Sequence, residues 1–366
     1  MGYTERIHLY ERLEALRDRP LICYVTSSRQ NADGQMGSDV IPELTQQIIA
    51  IPQEKTAVDV LIVSNGGDPT VSWRFITMLR ERFDQIGVLI PFAAYSAATL
   101  LALGADEILM HPFSNLGPVD PQLHTIRKFG TEQEMFSFGS EDLRHFMDFL
   151  RKDVGLSDQE QLQRSFELVC KDIGAIQIGV AKRSSYLALS MGEKLLMLHM
   201  DDKNRAKAIA EALNTSFYHH GYPLGRKEAT EIGLPVTNGS KEIEAVMWDI
   251  WQDFENEMQC NKPFIPLEVF LSDPARAQII GGPIPQVALP ANLPPQIMQQ
   301  AYQQILQQVG VQMVEPLEYS LLQAALESNR CRSVFTNCLK ISAVRQPDLK
   351  VAVSIVPVRQ GWERNC

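Results

Sequence analysis

Two short stretches hold residues whose types and spacing suit joint chemistry. In Val88-Leu89-Ile90-Pro91-Phe92-Ala93-Ala94-Tyr95-Ser96, a β-rich apolar run passes through small residues to a serine. The alanine- and leucine-rich run that follows has the composition of a buried helix. Ser96 is therefore expected where a strand ends and a helix begins, among the free N–H groups of the first helical turn. Such N–H groups can hold an oxyanion. The plainer reading is a serine that caps a buried helix. Upstream, the strand pattern Val58-Asp59-Val60-Leu61-Ile62-Val63 ends in Ser64-Asn65-Gly66-Gly67-Asp68-Pro69, and a helical pattern runs from Val71 to Leu79. Two glycines let the backbone adopt unusual φ/ψ and come close to a ligand. A strand–Gly-Gly–helix unit followed by a strand–Ser–helix unit places both turns at the carboxyl ends of adjacent parallel strands, facing one crevice. The pair is far more specific than either half.

The run VDVLIVSNGGDP…IPFAAYSAATLLALGADEILMHPFSNLGPVDPQ resembles the Clp/crotonase-like serine peptidases. Within them it is similar to the signal peptide peptidase A relatives and the serine dehydrogenase proteinases. The segment FYHHGYPLGRKEATEIGLPV, Phe217 to Val236, resembles the histidine-bearing block of the same family. The resemblance implies an α/β fold with a Clp/crotonase-like core of ββα repeats. It also implies Ser96 as nucleophile, with the N–H groups of Gly66, Gly67 and Ala97 as oxyanion donors. It implies peptide or protein substrates and a homo-oligomer, either a trimer or a hexamer; no cofactor is expected, and the lack of a Cys-x-x-Cys pair makes no metal the expectation.

The base that would activate Ser96 stays open. Clp-type peptidases carry a catalytic histidine near the Leu116–Gln122 stretch, where this sequence has Val119-Asp120. An aspartate, with a usual pKa of about 3.9, is a poor base near neutrality. Asp120 then either positions the base or orders its loop. The lysines on the helical patterns downstream are Lys152, Lys171, Lys182, Lys194, Lys203 and Lys207. Most helix lysines are merely solvated, but Lys182 follows the apolar run Ile176-Gln177-Ile178-Gly179-Val180-Ala181 and is expected to turn inward. Desolvation would lower its pKa and free the amine as a base. Lys194 is the next candidate. His219-His220 offers imidazoles that titrate near neutrality; by the resemblance, His220 matches the family's single histidine, and its plain reading is loop packing. His111 and His124 flank the core stretch without supporting spacing. A Ser-Lys dyad and a Ser-His variant both remain. So do a crotonase-fold enzyme acting on thioesters and a scaffold that has lost its base.

Composition agrees with a soluble globular chain: 366 residues, 45% hydrophobic and 21% charged. A net charge of −10 argues against binding nucleic acid through general electrostatics. No apolar run reaches the ~18 residues needed to span a bilayer, and the charged N-terminus lacks the apolar core of a signal peptide. Cytoplasmic is the expected location. The six cysteines are too scattered for a disulfide scaffold and contain no Cys-x-x-Cys, so most are expected as reduced thiols.

The elements that must position these residues alternate strand and helix from Leu21 onward, which means a mainly parallel sheet. A helix is expected over Tyr3–Arg17, a polar region over Lys128–Asp158, helices from Gln159 to Leu213 and an amphipathic helix over Glu242–Glu257. The expected organisation is a peptidase domain over 1–258, a proline-rich linker or arm over 259–295, and a small α+β domain over 296–366 for assembly or partner binding. Within the last, the sequence predicts a glutamine-rich helix, another helix between Pro316 and Asn329, and a terminal hairpin.

Overall fold

The computed structural model describes residues 2–129, 132–215, 217, 219, 221–281, 294–309, 312–346 and 350–365. Among these, the side chains of 124, 126–129, 132–135, 305–309 and 312 are not described.

The chain opens with α1 (Tyr3–Arg17) and β1 (Leu21–Thr26), then α2 (Ile41–Ala50), β2 (Ala57–Val63), α3 (Pro69–Arg80) and β3 (Gln85–Ile90). A two-residue strand β4 (Ala93–Ala94) leads to α4 (Ala97–Leu103), followed by β5 (Glu107–Met110) and β6 (Asn115–Leu116). Strands β1 and β2 are buried along almost their whole length. Continuous apolar burial of this kind belongs to parallel strands covered on both faces. The strands β1–β2, β2–β3 and β3–β5 pair in parallel as the βαβ alternation demands. Each helix between them packs one apolar stripe back onto the sheet.

The polar stretch after Gln122 differs from its sequence reading. It forms a hairpin, β7 (Gln122–Phe129) with β8 (Glu132–Gly139), before α5 (Ser140–Lys152) begins. Phe136 and Phe138, two residues apart on β8, lie on one face of this ribbon with their rings stacked. Three further helices, α6 (Gln159–Ile173), α7 (Ala175–Leu196) and α8 (Lys203–Thr215), match the expected helical region. The chain returns through β9 (Leu224–Gly225), α9 (Arg226–Glu231) and β10 (Val236–Thr237), which pairs parallel to β5.

α10 (Lys241–Glu257) buries Val246, Met247, Ile250, Trp251 and Phe254, so its apolar stripe is core. With α1 it covers one face of the sheet; α2, α3, α4, α7 and α8 supply the core residues on the other. The expected proline-rich arm contains two short helices, α11 (Pro266–Leu271) and α12 (Pro274–Ile280), each starting at a proline, where the missing N–H costs nothing. The rest of that arm, 282–293, lies outside the described residues.

Beyond α13 (Pro295–Val309) come β11 (Gln312–Met313), β12 (Leu317–Glu327), β13 (Arg332–Arg345) and β14 (Val351–Asn365). The terminal hairpin is found where it was expected. The helix expected between Pro316 and Asn329 is instead strand β12, paired antiparallel to β1 on one side and to β13 on the other. Leu-Leu-Gln-Ala-Ala-Leu favours a helix intrinsically, but two flanking strands with unpaired edges outweigh a propensity of tenths of a kcal/mol per residue. The C-terminal strands are thus continuous with the core sheet, which has nine strands among the described residues. Pairing crosses the boundary expected at residue 296. A buried cluster fastens the join: Arg6 of α1 meets Asp253 and Glu257 of α10 and Glu327 of β12. Cys23, Cys170, Cys260 and Cys338 are free, as expected for most of the cysteines, and Cys331 is disulfide-bonded.

Candidate active site

The carboxyl ends of β1, β2 and β3 are laced together by a second, short layer of pairing. Ser64 bridges Ala94, Met36 bridges Gly67, and β4 pairs with β6, which pairs with β9. This layer brings the two turns of the sequence argument into contact. Ser96 stands at the head of α4 with φ 53° and ψ −115°, and its side chain makes no cap hydrogen bond. A non-glycine residue held there costs of order 1–3 kcal/mol. A serine that merely capped the helix would sit in extended backbone and accept a helix N–H. The geometry is that of a presented hydroxyl.

Gly66 (φ 102°) and Gly67 (φ 150°) form the opposing turn. A Cβ at Gly66 would lie 2.7 Å from the Tyr95 carbonyl oxygen, 2.8 Å from Ser96 Cβ and 3.0 Å from the Ala97 nitrogen. Only glycine permits this approach. Both turns face a cavity of about 500 Å³, lined also by Asp33, Gln35, Asp68, Gln122 and, from α7, Ser184 and Ala188.

The three N–H groups expected as oxyanion donors divide. Among the described residues, the N–H groups of Gly67 and Ala97 meet no acceptor. The Gly66 N–H donates to Ser64 Oγ at 3.0 Å. The expected Gly66 donor thus already has an acceptor, while a Cβ at this position would crowd Ser96. Further support comes from Ser72 Oγ, which donates to the Ala97 carbonyl at 2.5 Å, and from the Thr99 hydroxyl, which donates to the Ala94 and Gly117 carbonyls at 2.8 Å. Ser72 and Thr99 escaped the sequence reading because small polar residues on helices carry no local signal of long-range bonding.

The base candidates fall elsewhere. Lys182 is exposed, with its ammonium 4.6 Å from the Tyr186 ring centroid. The expected inward turn fails because Ala181, Ser185 and Ala188 take the buried face of α7. Lys182 lies about 100° round the helix from Ala181. Lys194 is also exposed. His220 and the His124 side chain lie outside the described residues. His219 is exposed and accepts the Gly221 N–H at Nδ1. His111 is buried and stacked on Trp248, away from the cavity lining, and desolvation depresses its pKa. Asp120 accepts from Gln122 Nε2 at 3.0 Å within its own loop. It lines a neighbouring cavity of about 250 Å³ with Ser137, Glu141, His145 and His219. No lysine or histidine is among the described residues lining the Ser96 cavity. Among the described residues there is also no cluster suited to a metal ion, and no helix long and apolar enough to cross a membrane.

Comparison with known proteins follows the same residues. Residues 38–131 match the family model for the ClpP-like SDH-type serine proteinase. The uncharacterized proteins MJ0137 and MJ1495 of Methanocaldococcus jannaschii are each 26% identical, over 251 and 200 residues. The alignments cover 66% and 53% of this chain and 77% and 57% of those proteins. Two solved structures of the 1510-N membrane-bound stomatin-specific protease are similar at 15% and 16% identity: a serine-to-alanine mutant, and a lysine-to-alanine mutant in complex with a substrate peptide. Each covers 57% of this chain, and 76% and 72% of those chains respectively, with a TM-score of 0.34.

Proposed function

We propose that this chain, a ClpP-like serine-type peptidase by its match over residues 38–131, hydrolyses peptide bonds with Ser96 as nucleophile. The observation that carries the assignment is the Ser96 backbone, held at φ 53° and ψ −115° at the head of a buried helix and facing the Gly-Gly turn. The Ser96 hydroxyl attacks the scissile carbonyl carbon while a base takes its proton. The N–H groups of Gly67 and Ala97 hold the oxyanion that forms. The tetrahedral intermediate collapses to an acyl-enzyme, expelling the amine, and water then releases the acyl group and restores the serine.

The base is a lysine or histidine, giving a Ser-Lys dyad or a Ser-His variant. Lys182, Lys194 and His220 are its candidates. The two lysines would have to leave their solvated positions to serve, which favours the histidine-bearing loop at 217–221. The substrates are peptides or proteins, and the chain works as a homo-oligomer. Exposed Phe149, Leu168 and Ile176 on α5–α7 offer apolar surface for self-assembly.

Labelling with a fluorophosphonate probe, read by intact mass, tests the assignment. One adduct per chain, lost in Ser96→Ala, is the expected result; substitution of Lys182, Lys194 and His220 then identifies the base. A folded wild type that takes up no probe and cleaves no peptide would leave a scaffold role in its place.

A further inference from the structure

We infer that Ser64 is the positioning residue that aims the oxyanion turn at Ser96, an inference that rests on the peptidase reading of that serine. Ser64 follows β2 directly and is 2% exposed. Its backbone grips the strand that delivers the nucleophile. The Ser64 N–H donates to the Ala93 carbonyl at 3.0 Å, and its carbonyl accepts the Tyr95 N–H at 2.9 Å. Its side chain works in the other direction. Oγ accepts the Gly66 N–H at 3.0 Å and the buried Thr26 hydroxyl at 2.8 Å. One residue therefore joins the end of β1, the Gly-Gly turn and the approach to Ser96.

The consequence for chemistry follows from the planarity of the peptide unit. The Gly66 carbonyl and the Gly67 N–H belong to one trans peptide, so they point in opposite directions. That carbonyl accepts the Met36 N–H at 2.8 Å. The Gly67 N–H is thereby turned away from Met36 and left free on a residue that lines the Ser96 cavity. The Met36 bond fixes the plane from one side. The Ser64 hydroxyl fixes it from the other, because it holds the N–H on the far side of the Gly66 Cα. Gly66 has no side chain to resist rotation, so without Ser64 Oγ its φ of 102° would have no hydrogen bond defining it. The donor would still be present but would be poorly aimed.

The test compares Ser64→Ala, Ser64→Thr and Thr26→Val with wild type, reading kcat and KM on a cleaved peptide, thermal melting, and amide hydrogen exchange at Gly66. Outright loss of an oxyanion donor costs about 10²–10³ in turnover, so Ser64→Ala is expected to lose about 10- to 100-fold in kcat. KM should change by no more than about 2-fold, since the bond matters most where charge develops. Exchange at Gly66 should accelerate. Ser64→Thr keeps the hydroxyl and should recover most of kcat, while Thr26→Val, which leaves the Gly66 bond in place, should lie between. A folded Ser64→Ala with wild-type kcat would overturn the inference. So would a loss that Ser64→Thr fails to restore. If wild type neither cleaves peptides nor takes up the probe, the peptidase reading fails, and Gly66 exchange decides the positioning role by itself: unchanged exchange in Ser64→Ala refutes it, accelerated exchange upholds it.

Discussion

Replacing Gly67 with alanine probes the oxyanion turn most directly. A Cβ there would stand 2.4 Å from the Met36 carbonyl oxygen, 2.6 Å from its nitrogen and 3.0 Å from its carbonyl carbon. All three are backbone atoms, and the segment carrying them is pinned by the Met36 N–H on Gly66 and the Asp68 N–H on Met36. Rotating a side chain cannot relieve the clash. Ordinary contact begins near 3.4 Å, so the turn must retreat by about 1.0 Å. The φ of 150° adds backbone strain for any residue with a Cβ. Overpacking of this kind costs about 1–3 kcal/mol in stability. A 1 Å misplacement of a catalytic group costs about 10²-fold, and losing a donor about 10²–10³-fold or 2.7–4 kcal/mol. Gly67→Ala should therefore label with a fluorophosphonate at least about 10²-fold more slowly than wild type while remaining folded by circular dichroism. Gly179→Ala is the control, because a Cβ there meets nothing within 4 Å. It should label normally and gain up to about 1 kcal/mol from helix propensity. A folded Gly67→Ala with wild-type labelling would refute the placement of the oxyanion donors.

Three further outcomes are expected. Arg6→Ala would remove the buried guanidinium that Asp253, Glu257 and Glu327 share, while Glu327 keeps Arg332 at 2.9 Å, a loss of about 3 kcal/mol; denaturant unfolding with an unchanged midpoint would contradict it. The Glu43 pKa is lowered because Arg364 hydrogen-bonds both its oxygens, at 2.7 and 2.8 Å, and the Ser333 hydroxyl adds a third bond at 2.5 Å. A depressed folded pKa contributes stability that is fully present above the unfolded value of about 4.3 and is lost as pH falls through the folded one. Melting temperatures taken from about pH 6 down to about pH 3 should thus fall less steeply in Glu43→Gln than in wild type, and equal slopes would count against the contact. Finally, a chain cut after residue 258 would lose β12 from beside β1, exposing a fully buried strand as a sheet edge. It should aggregate; a soluble, cooperatively melting 1–258 fragment would show that the peptidase domain stands alone as the sequence had suggested.

Much of the fold, and part of the site, was legible in the sequence because the signals are local. A strand that ends in Gly-Gly before a helix, and one that ends in small residues and a serine, each announce a turn within about ten residues, and parallel pairing of successive strands then follows from their alternation with helices. Ser96, Gly66 and Gly67 meet for that reason. Helices with a clear apolar stripe, such as Lys241–Glu257, were equally plain.

What remained was decided by partners far away in the chain. The segment 317–327 is helical by preference and a strand in fact, because β1 and β13 offer it hydrogen bonds that no local count of residues contains. Lys182 follows an apolar run yet faces solvent, because it is the packing of α7, and not the run's composition, that selects which side of the helix is buried. The Gly66 N–H meets Ser64 Oγ because the turn folds back on the end of its own strand. Side-chain types and near-neighbour spacing determine where chemistry is possible. Only the long-range pairing of strands and hydroxyls decides which N–H groups are left free to perform it.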